Sequence, residues 1–192
     1  MCIRSCTALS RNCYIHKKII VNPTNIRFAE KKDIPELTAL VNRAFRGELS
    51  RKGWTTEADF LEGDTRIDKN GLEEMLGKAG STLLIYSENG QDAGCVYVQV
   101  QPGQLYLGML TVDPLAQARG IGRKLMLAAE DHARSHGCQS IHMNVISLRT
   151  ELIDWYLRQG YFRTGETKPF PNQPAYGIPN QPLEFIILRK DL

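Results

Sequence analysis

The sequence predicts an α+β fold: one mixed central β-sheet of six to seven strands, flanked by about four helices. Two patterns carry that prediction. Between residues 82 and 112, three apolar runs follow one another with only N-G-Q-D and Q-P-G-Q between them, turn chemistry that suits antiparallel hairpins. After residue 112, strand-like and helix-like segments alternate, which requires crossover connections and brings parallel pairing into the same sheet. With 192 residues and 42% hydrophobic composition, the chain is long enough to bury one core without disulfides or metals.

In chain order, residues 25–30 (N-I-R-F-A-E) alternate and read as a first strand. Asp33 is placed to cap a helix whose apolar positions are Ile34, Leu37, Leu40, Val41, Ala44 and Phe45, at helical spacing. Residues 47–70 are irregular and charged, with a weak helical patch at 57–61. A short helix over 72–79 ends at Gly80. Strands follow at 82–87, 93–100 and 105–112. A long helix begins at or just before Gly120, with Ile121, Leu125, Ala128, Ala129, His132 and Ala133 on one face. Gly137 ends it. A strand at 140–145, a helix at 150–159 closed by Gly160, a short strand around Phe162 and a final strand at 183–188 complete the order.

Residues 1–24 stand apart as a flexible, basic N-terminal extension, and residues 25–192 form the domain. Arg4, Arg11, Lys17 and Lys18 give the extension four positive charges and no acid, leaving the rest of the chain one negative out of a net +3. That balance speaks against a nucleic-acid surface. The extension has no continuous apolar core like that of a secretory signal; its composition weakly resembles a transit peptide, and a tail or an upstream start fits as well. No apolar run is long enough for a membrane helix. Five cysteines match no zinc spacing and leave an odd thiol over, so a reduced, cytoplasmic setting is expected.

The stretch with chemistry in it is L-T-V-D-P-L-A-Q-A-R-G-I-G-R-K, from Leu110 to Lys124. Pro114 lacks an N–H and pushes Asp113 toward extended geometry, which ends the strand. Two glycines, Gly120 and Gly122, then stand where a helix starts. The first N–H groups of a helix have no internal partner, and the helix dipole makes that end positive. Glycine lets a ligand approach them closely. With Arg119, Arg123 and Lys124 beside them, these groups suit a pyrophosphate. The Walker pattern is missing, and Leu125 stands where a dinucleotide fingerprint needs its third glycine.

What remains, Q-x-x-G-x-G at Gln117, Gly120 and Gly122 after a strand ending V-D-P, resembles the acyl-CoA-binding motif of the GNAT N-acetyltransferase superfamily. The element order is similar to the GNAT fold over roughly residues 25–192. The resemblance implies acetyl-CoA as co-substrate with no metal, held by the main chain of Leu110, Thr111 and Val112 and by the turn Gln117, Ala118, Arg119, Gly120, Ile121, Gly122, Arg123 and Lys124. A second family motif, N-x-x-A-x-x-x-Y-x-x-x-G-F, matches at Tyr156 and at Gly160-Tyr161, whereas Arg149 and Leu152 occupy its Asn and Ala positions. Arg149 is therefore expected to reach a carbonyl or phosphate of the co-substrate.

The resemblance implies Tyr156 as the catalytic residue, and its chemistry suits the role: a phenol keeps its proton at pH 7 and can pass it to a departing thiolate. Residues 105–112 contain no acid, so no base is assigned: Glu62, Asp64, Glu151 and water all stay open. Arg66 is expected to bind the acceptor, gripping a substrate carboxylate with its planar fork. Residues 168–183 hold five of the nine prolines, a stiff segment expected to bring Phe170 and Tyr176 to the acceptor pocket.

The resemblance thus implies an N-acetyltransferase acting on a primary amine of a small molecule or peptide by direct attack in a ternary complex. A protein lysine or N-terminal acetyltransferase and a non-catalytic acyl-CoA-binding module are the alternatives. No nucleic-acid or membrane partner is expected, and a homodimer is left open.

Overall fold

The computed structural model describes residues 25–171 and 177–192; the expected N-terminal extension lies outside them. Seven strands form one sheet in the order β1-β3-β4-β5-β6-β9-β7, and β2 and β8 form a two-stranded one. Their ranges are β1 Ile26–Phe28, β2 Leu61–Glu62, β3 Ser81–Glu88, β4 Gln91–Gln101, β5 Gln104–Val112, β6 Ser140–Ile146, β7 Phe162–Pro169, β8 Ile178–Pro179 and β9 Glu184–Asp191. The helices are α1 Ile34–Phe45, α2 Gly47–Ser50, α3 Lys69–Gly77, α4 Ile121–Ser135 and α5 Thr150–Arg158. The α+β architecture and the strand meander match the expectation.

The sheet separates two cores, because successive side chains of a strand point to opposite faces. Leu83, Ile85, Cys95 and Tyr97 join α1 and α3 on one side. Leu84, Tyr86, Val96 and Val98 join α4 and α5 on the other. At Gly94 the α4 helix lies against the strand: a Cβ there would sit 2.8 Å from the Thr111 carbonyl oxygen and 3.0 Å from Ile121.

Several boundaries differ from the expectation. Asp33 occupies the N-cap position of α1, but its side chain makes no cap hydrogen bond to that helix. Its carboxylate accepts the Glu30 N–H at 2.7 Å and pairs with Arg27, closing the 3-10 turn before the helix. Residues 57–61 are a turn running into β2, with the Glu57 N–H bonded to the Phe45 carbonyl at 2.9 Å. The only helix between α1 and α3 among the described residues is the single turn of α2. The third helix stops at Gly77, and Gly80 at φ +73 is the turn into β3. The strand around Phe162 runs for eight residues. The β2–β8 pair was not foreseen, since two-residue strands leave no periodicity to read.

Candidate active site

β5 and β6 are parallel neighbours, yet they pair only from Gln104↔Ser140 to Tyr106↔His142. Beyond that register the strands part. The second half of β5 keeps β4 on one side and has no β6 partner on the other. A sheet interior left open exposes backbone N–H and C=O groups that need partners, and a ligand with amide groups can supply them. A bulge shapes this half-strand. Met109 and Leu110 together oppose Val96, and Met109 adopts φ +50. The extra residue reverses the alternation: Leu107 faces the α4/α5 core, Met109 the α1/α3 core, and Leu110 and Val112 turn back toward α4 and α5. Thr111, buried on the far side, steadies the bulge by donating its hydroxyl to the Met109 carbonyl at 2.9 Å.

The gap is the mouth of a cavity of about 310 Å³. Asn144 on β6 lines it, and its buried Oδ1 has no hydrogen-bond partner among the described residues. The turn before α4 closes one end. Asp113 accepts the Leu115 N–H at 2.9 Å and pairs with Arg43 at 2.7 Å, which fixes the chain's exit from β5. Ala118 at φ +63 and Gly120 at φ +74 then turn the backbone into the helix. Lys124 N–H bonds Gly120 at 3.1 Å, so the N–H groups of Ile121, Gly122 and Arg123 have no acceptor within the helix. Gly120, Ile121, Gly122 and Arg123 line the cavity.

The other polar members of that turn point elsewhere. Arg119 pairs with Glu88, and Lys124 bonds the Tyr86 hydroxyl at 3.1 Å. Gln117 lines the cavity but spends its amide on the facing loop. Its Oε1 accepts the Trp54 N–H and its Nε2 donates to Thr55 Oγ1, both at 3.1 Å. A Cβ on Gly53 would collide with this amide at 2.7 Å. Gln117 therefore clamps residues 53–55 over the site, a role that spacing in the motif does not reveal.

The far end of the cavity holds a charge cluster. Glu57 is 4% exposed. Three guanidinium groups surround its carboxylate: Arg46 at 3.2 Å, Arg66 at 3.2 Å and Arg149 at 3.4 Å. Burial by itself would raise the Glu57 carboxyl, but Arg66, Arg149 and Arg46 hold it below the usual carboxylate range. Such a carboxylate is a poor base. Burial pushes Arg149 and Arg46 downward against the pull of Glu57. Arg149, expected on the co-substrate, is drawn to Glu57 and also donates to the Thr55 carbonyl, because a buried cation takes the counter-charge available to it.

Tyr156 lines the same cavity from α5, 5% exposed, with ring neighbours Trp155 and Tyr161. Burial pushes its phenol up to about 12, with Arg149 pulling the other way, so it holds its proton at neutral pH. Phe170 does not line the cavity; it stacks at 5.1 Å on Phe185, which does. Tyr176 lies outside the described residues. Of the acids left open as bases, Glu62, Asp64 and Glu151 are all absent from the cavity lining. Glu57 was missed by the sequence reading, as were Trp54 and Arg46. The cysteines carry no activated thiol among the described residues: burial pushes Cys95 up to about 12 and Cys138 upward.

The family model described as Acetyltransferase (GNAT) family matches residues 35–161. The chain belongs to the GNAT family. Similar curated relatives include the mycothiol acetyltransferase of Rhodococcus erythropolis, 28% identical over 140 residues, which are 69% of this chain and 44% of that one. That of Mycobacterium ulcerans is 36% identical over 117 residues, 57% and 36% of the two chains. The chain thus spans less than half the length of these relatives. In fold it is similar to the ribosomal-protein-S18-alanine N-acetyltransferase of Escherichia coli, with a TM-score of 0.65 at 18% identity over 86% of this chain and 92% of that one. An N-acetyltransferase of Thermoplasma acidophilum solved with coenzyme A gives 0.61 at 15% identity, covering 87% and 98%. Among the described residues no helix is long and apolar enough to cross a membrane, and no group of three or more metal-ligating side chains occurs.

Proposed function

We propose that the protein is an acetyl-CoA-dependent N-acetyltransferase whose acceptor is the primary amine of a small molecule. The observation that carries this reading is the parting of β5 and β6 beside the α4 N-terminus. It leaves a half-strand of unpaired backbone, the Asn144 oxygen and three helix N–H groups around one cavity. These groups suit acetyl-CoA: the half-strand and Asn144 the amide-rich pantetheine arm, and the N–H groups with Arg123 the pyrophosphate. Arg119 and Lys124 belong to the rim, where they hold the turn against β3.

Acetyl-CoA, when bound, supplies an acetyl thioester. In direct attack, the amine nitrogen bonds to the thioester carbon, the carbon–sulfur bond breaks, the nitrogen loses a proton to water and the sulfur gains one. Tyr156 holds a proton at neutral pH and is the donor to sulfur. No carboxylate in the cavity is a competent base, since Glu57 is ion-paired. The excess positive charge around Glu57 does that work differently: it disfavours an ammonium nearby and lowers the amine's pKa. Trp54, Thr55 and α5 line the cavity beside the charge cluster, and its volume of about 310 Å³ favours a small amine over a protein side chain. The thiols of Cys95 and Cys138, both free, fit a reducing, cytoplasmic setting. Neither a nucleic acid nor a second subunit enters this reading.

Thermal unfolding with acetyl-CoA, comparing wild type with Gly120→Glu, tests it. Ligand at 100 times its Kd stabilises the native state by about 2.7 kcal/mol, which corresponds to roughly 5–10 °C for a domain of this size. The shift is expected in wild type and absent in the folded variant. No shift up to millimolar acetyl-CoA overturns the reading. Release of thiol with an amine then excludes a non-catalytic acyl-CoA-binding module.

A further inference from the structure

Arg66 differs from an ordinary surface arginine in how firmly it is placed. Asn42 on α1 accepts the backbone N–H groups of Arg66 and Ile67 at 2.7 and 3.1 Å, and its own amide donates to the Ile67 carbonyl at 2.9 Å. The guanidinium lies 4.6 Å from the centroid of the Phe45 ring, and its Nε faces Glu57 at 3.2 Å. Backbone, plane and one edge are thus all set. The two terminal nitrogens carry no hydrogen bond among the described residues. The side chain is 28% exposed, against 1% for Arg46 and 8% for Arg149. Arg66 and Arg149 both line the cavity, and Arg66 is the more exposed of the two.

The cluster is also unbalanced. Among the described residues, three arginines share one carboxylate. Two net positive charges in a poorly solvated cavity are costly unless a counter-charge arrives. A planar fork with a free edge matches a carboxylate bidentately. The cavity of about 310 Å³ must hold the acetyl-bearing end of the co-substrate as well, which keeps the acceptor small. With one carboxylate bound, the cluster retains one net positive charge and still favours the neutral amine.

We infer that the acceptor is a small amino acid-like molecule, a primary amine whose carboxylate is bound by Arg66 on the Glu57 cluster while its nitrogen meets the acetyl group. This rests on the transferase reading. The bonds made and broken are those given above, and the carboxylate takes no part in them.

The test is thiol release from acetyl-CoA with α-, β- and γ-amino acids, each beside its amide and its decarboxylated amine. Sites built for a charged or hydrogen-bonding group reject analogues that lack it by large factors. The best acid is therefore expected to exceed its own amide roughly 100-fold in kcat/KM. In Arg66→Gln the loss falls on KM for the acid, by about tenfold or more, with the acid and amide brought close together. Arg66→Lys keeps the charge without the fork and falls between the two; it also serves if Arg66→Gln does not fold, which acetyl-CoA titration of each variant reports. Equal or faster reaction of the amides or decarboxylated amines overturns the inference. So does a preference that survives in both variants, or a protein that binds acetyl-CoA and acetylates none of the acids. Failure of wild type to bind acetyl-CoA overturns the transferase reading instead.

Discussion

The end of the cavity proposed for the donor is made largely of backbone, and the end proposed for the acceptor of charged side chains drawn from distant parts of the chain. At the donor end, the parting strands and the α4 N-terminus offer N–H and C=O groups, so almost any side chain compatible with the bulge and the turn would serve. At the acceptor end, Arg46, Glu57, Arg66 and Arg149 come from α1's exit, two loops and the start of α5, and each depends on the others. The contrast teaches where substitutions should hurt. Backbone recognition tolerates side-chain change and fails only when the turn itself is disturbed. A buried charge cluster fails when any one member loses its counter-charge.

The largest effect is expected at the acceptor end. Glu57→Gln leaves three buried or half-buried guanidinium groups without their carboxylate. Removing one partner of a buried ion pair costs about 3–5 kcal/mol, so the variant should melt on the order of 10 °C lower by calorimetry. A melting point within a degree or two of wild type would mean that water reaches the cluster freely, and the contrast between the two ends would collapse.

Tyr156→Phe probes the junction between the ends. The ring keeps its place among Trp155 and Tyr161, so acetyl-CoA should bind as before while kcat falls by at least about tenfold, roughly 1.4 kcal/mol of barrier. An unchanged kcat would make Tyr156 a packing residue and leave the departing thiolate to solvent.

The smallest effect lies outside the cavity and calibrates the others. Burial, with His136 adding to it, pushes His132 down to about 4. A depressed histidine contributes stability that is complete above its unfolded value near 6.5 and is lost as pH falls from there toward 4. Thermal scans should show Tm declining over that window, by about 1 kcal/mol or less in free energy given the ring's partial exposure. His132→Asn should flatten it. Glu57 behaves with the same sign at lower pH: its stabilisation is present above the ordinary carboxylate range and is lost as acid protonates it. A Tm that stays level to pH 4 in wild type would place His132 in contact with water.

Much of the fold could be read from local pattern. Leu37, Leu40, Val41 and Ala44 repeat at helical spacing and form one wall of a core. The N-G and P-G turns joined the meander because glycine at positive φ is what those hairpins require. The α4 start was legible for the same reason, Gly120 being at φ +74. The readings that failed were those in which contacts distant in sequence outweighed local preference. Residues 57–61 have a weak helical pattern, yet Glu57 is captured by Arg46, Arg66 and Arg149. Asp33 has the position of a cap, yet Arg27 on β1 and the Glu30 N–H take its carboxylate.

By itself, then, the sequence determined the α+β class, the strand meander, the α4 turn and the placing of Tyr156 on a helix, because each follows from residues within a few positions of one another. Only the tertiary structure decided how the candidate site is assembled. The Met109 bulge, the Gln117 clamp on residues 53–55 and the gathering of three arginines on Glu57 bring together groups separated by up to 103 positions, from Arg46 to Arg149. Charge pairing and strand parting are properties of neighbours in space, and periodicity along a chain carries no trace of them.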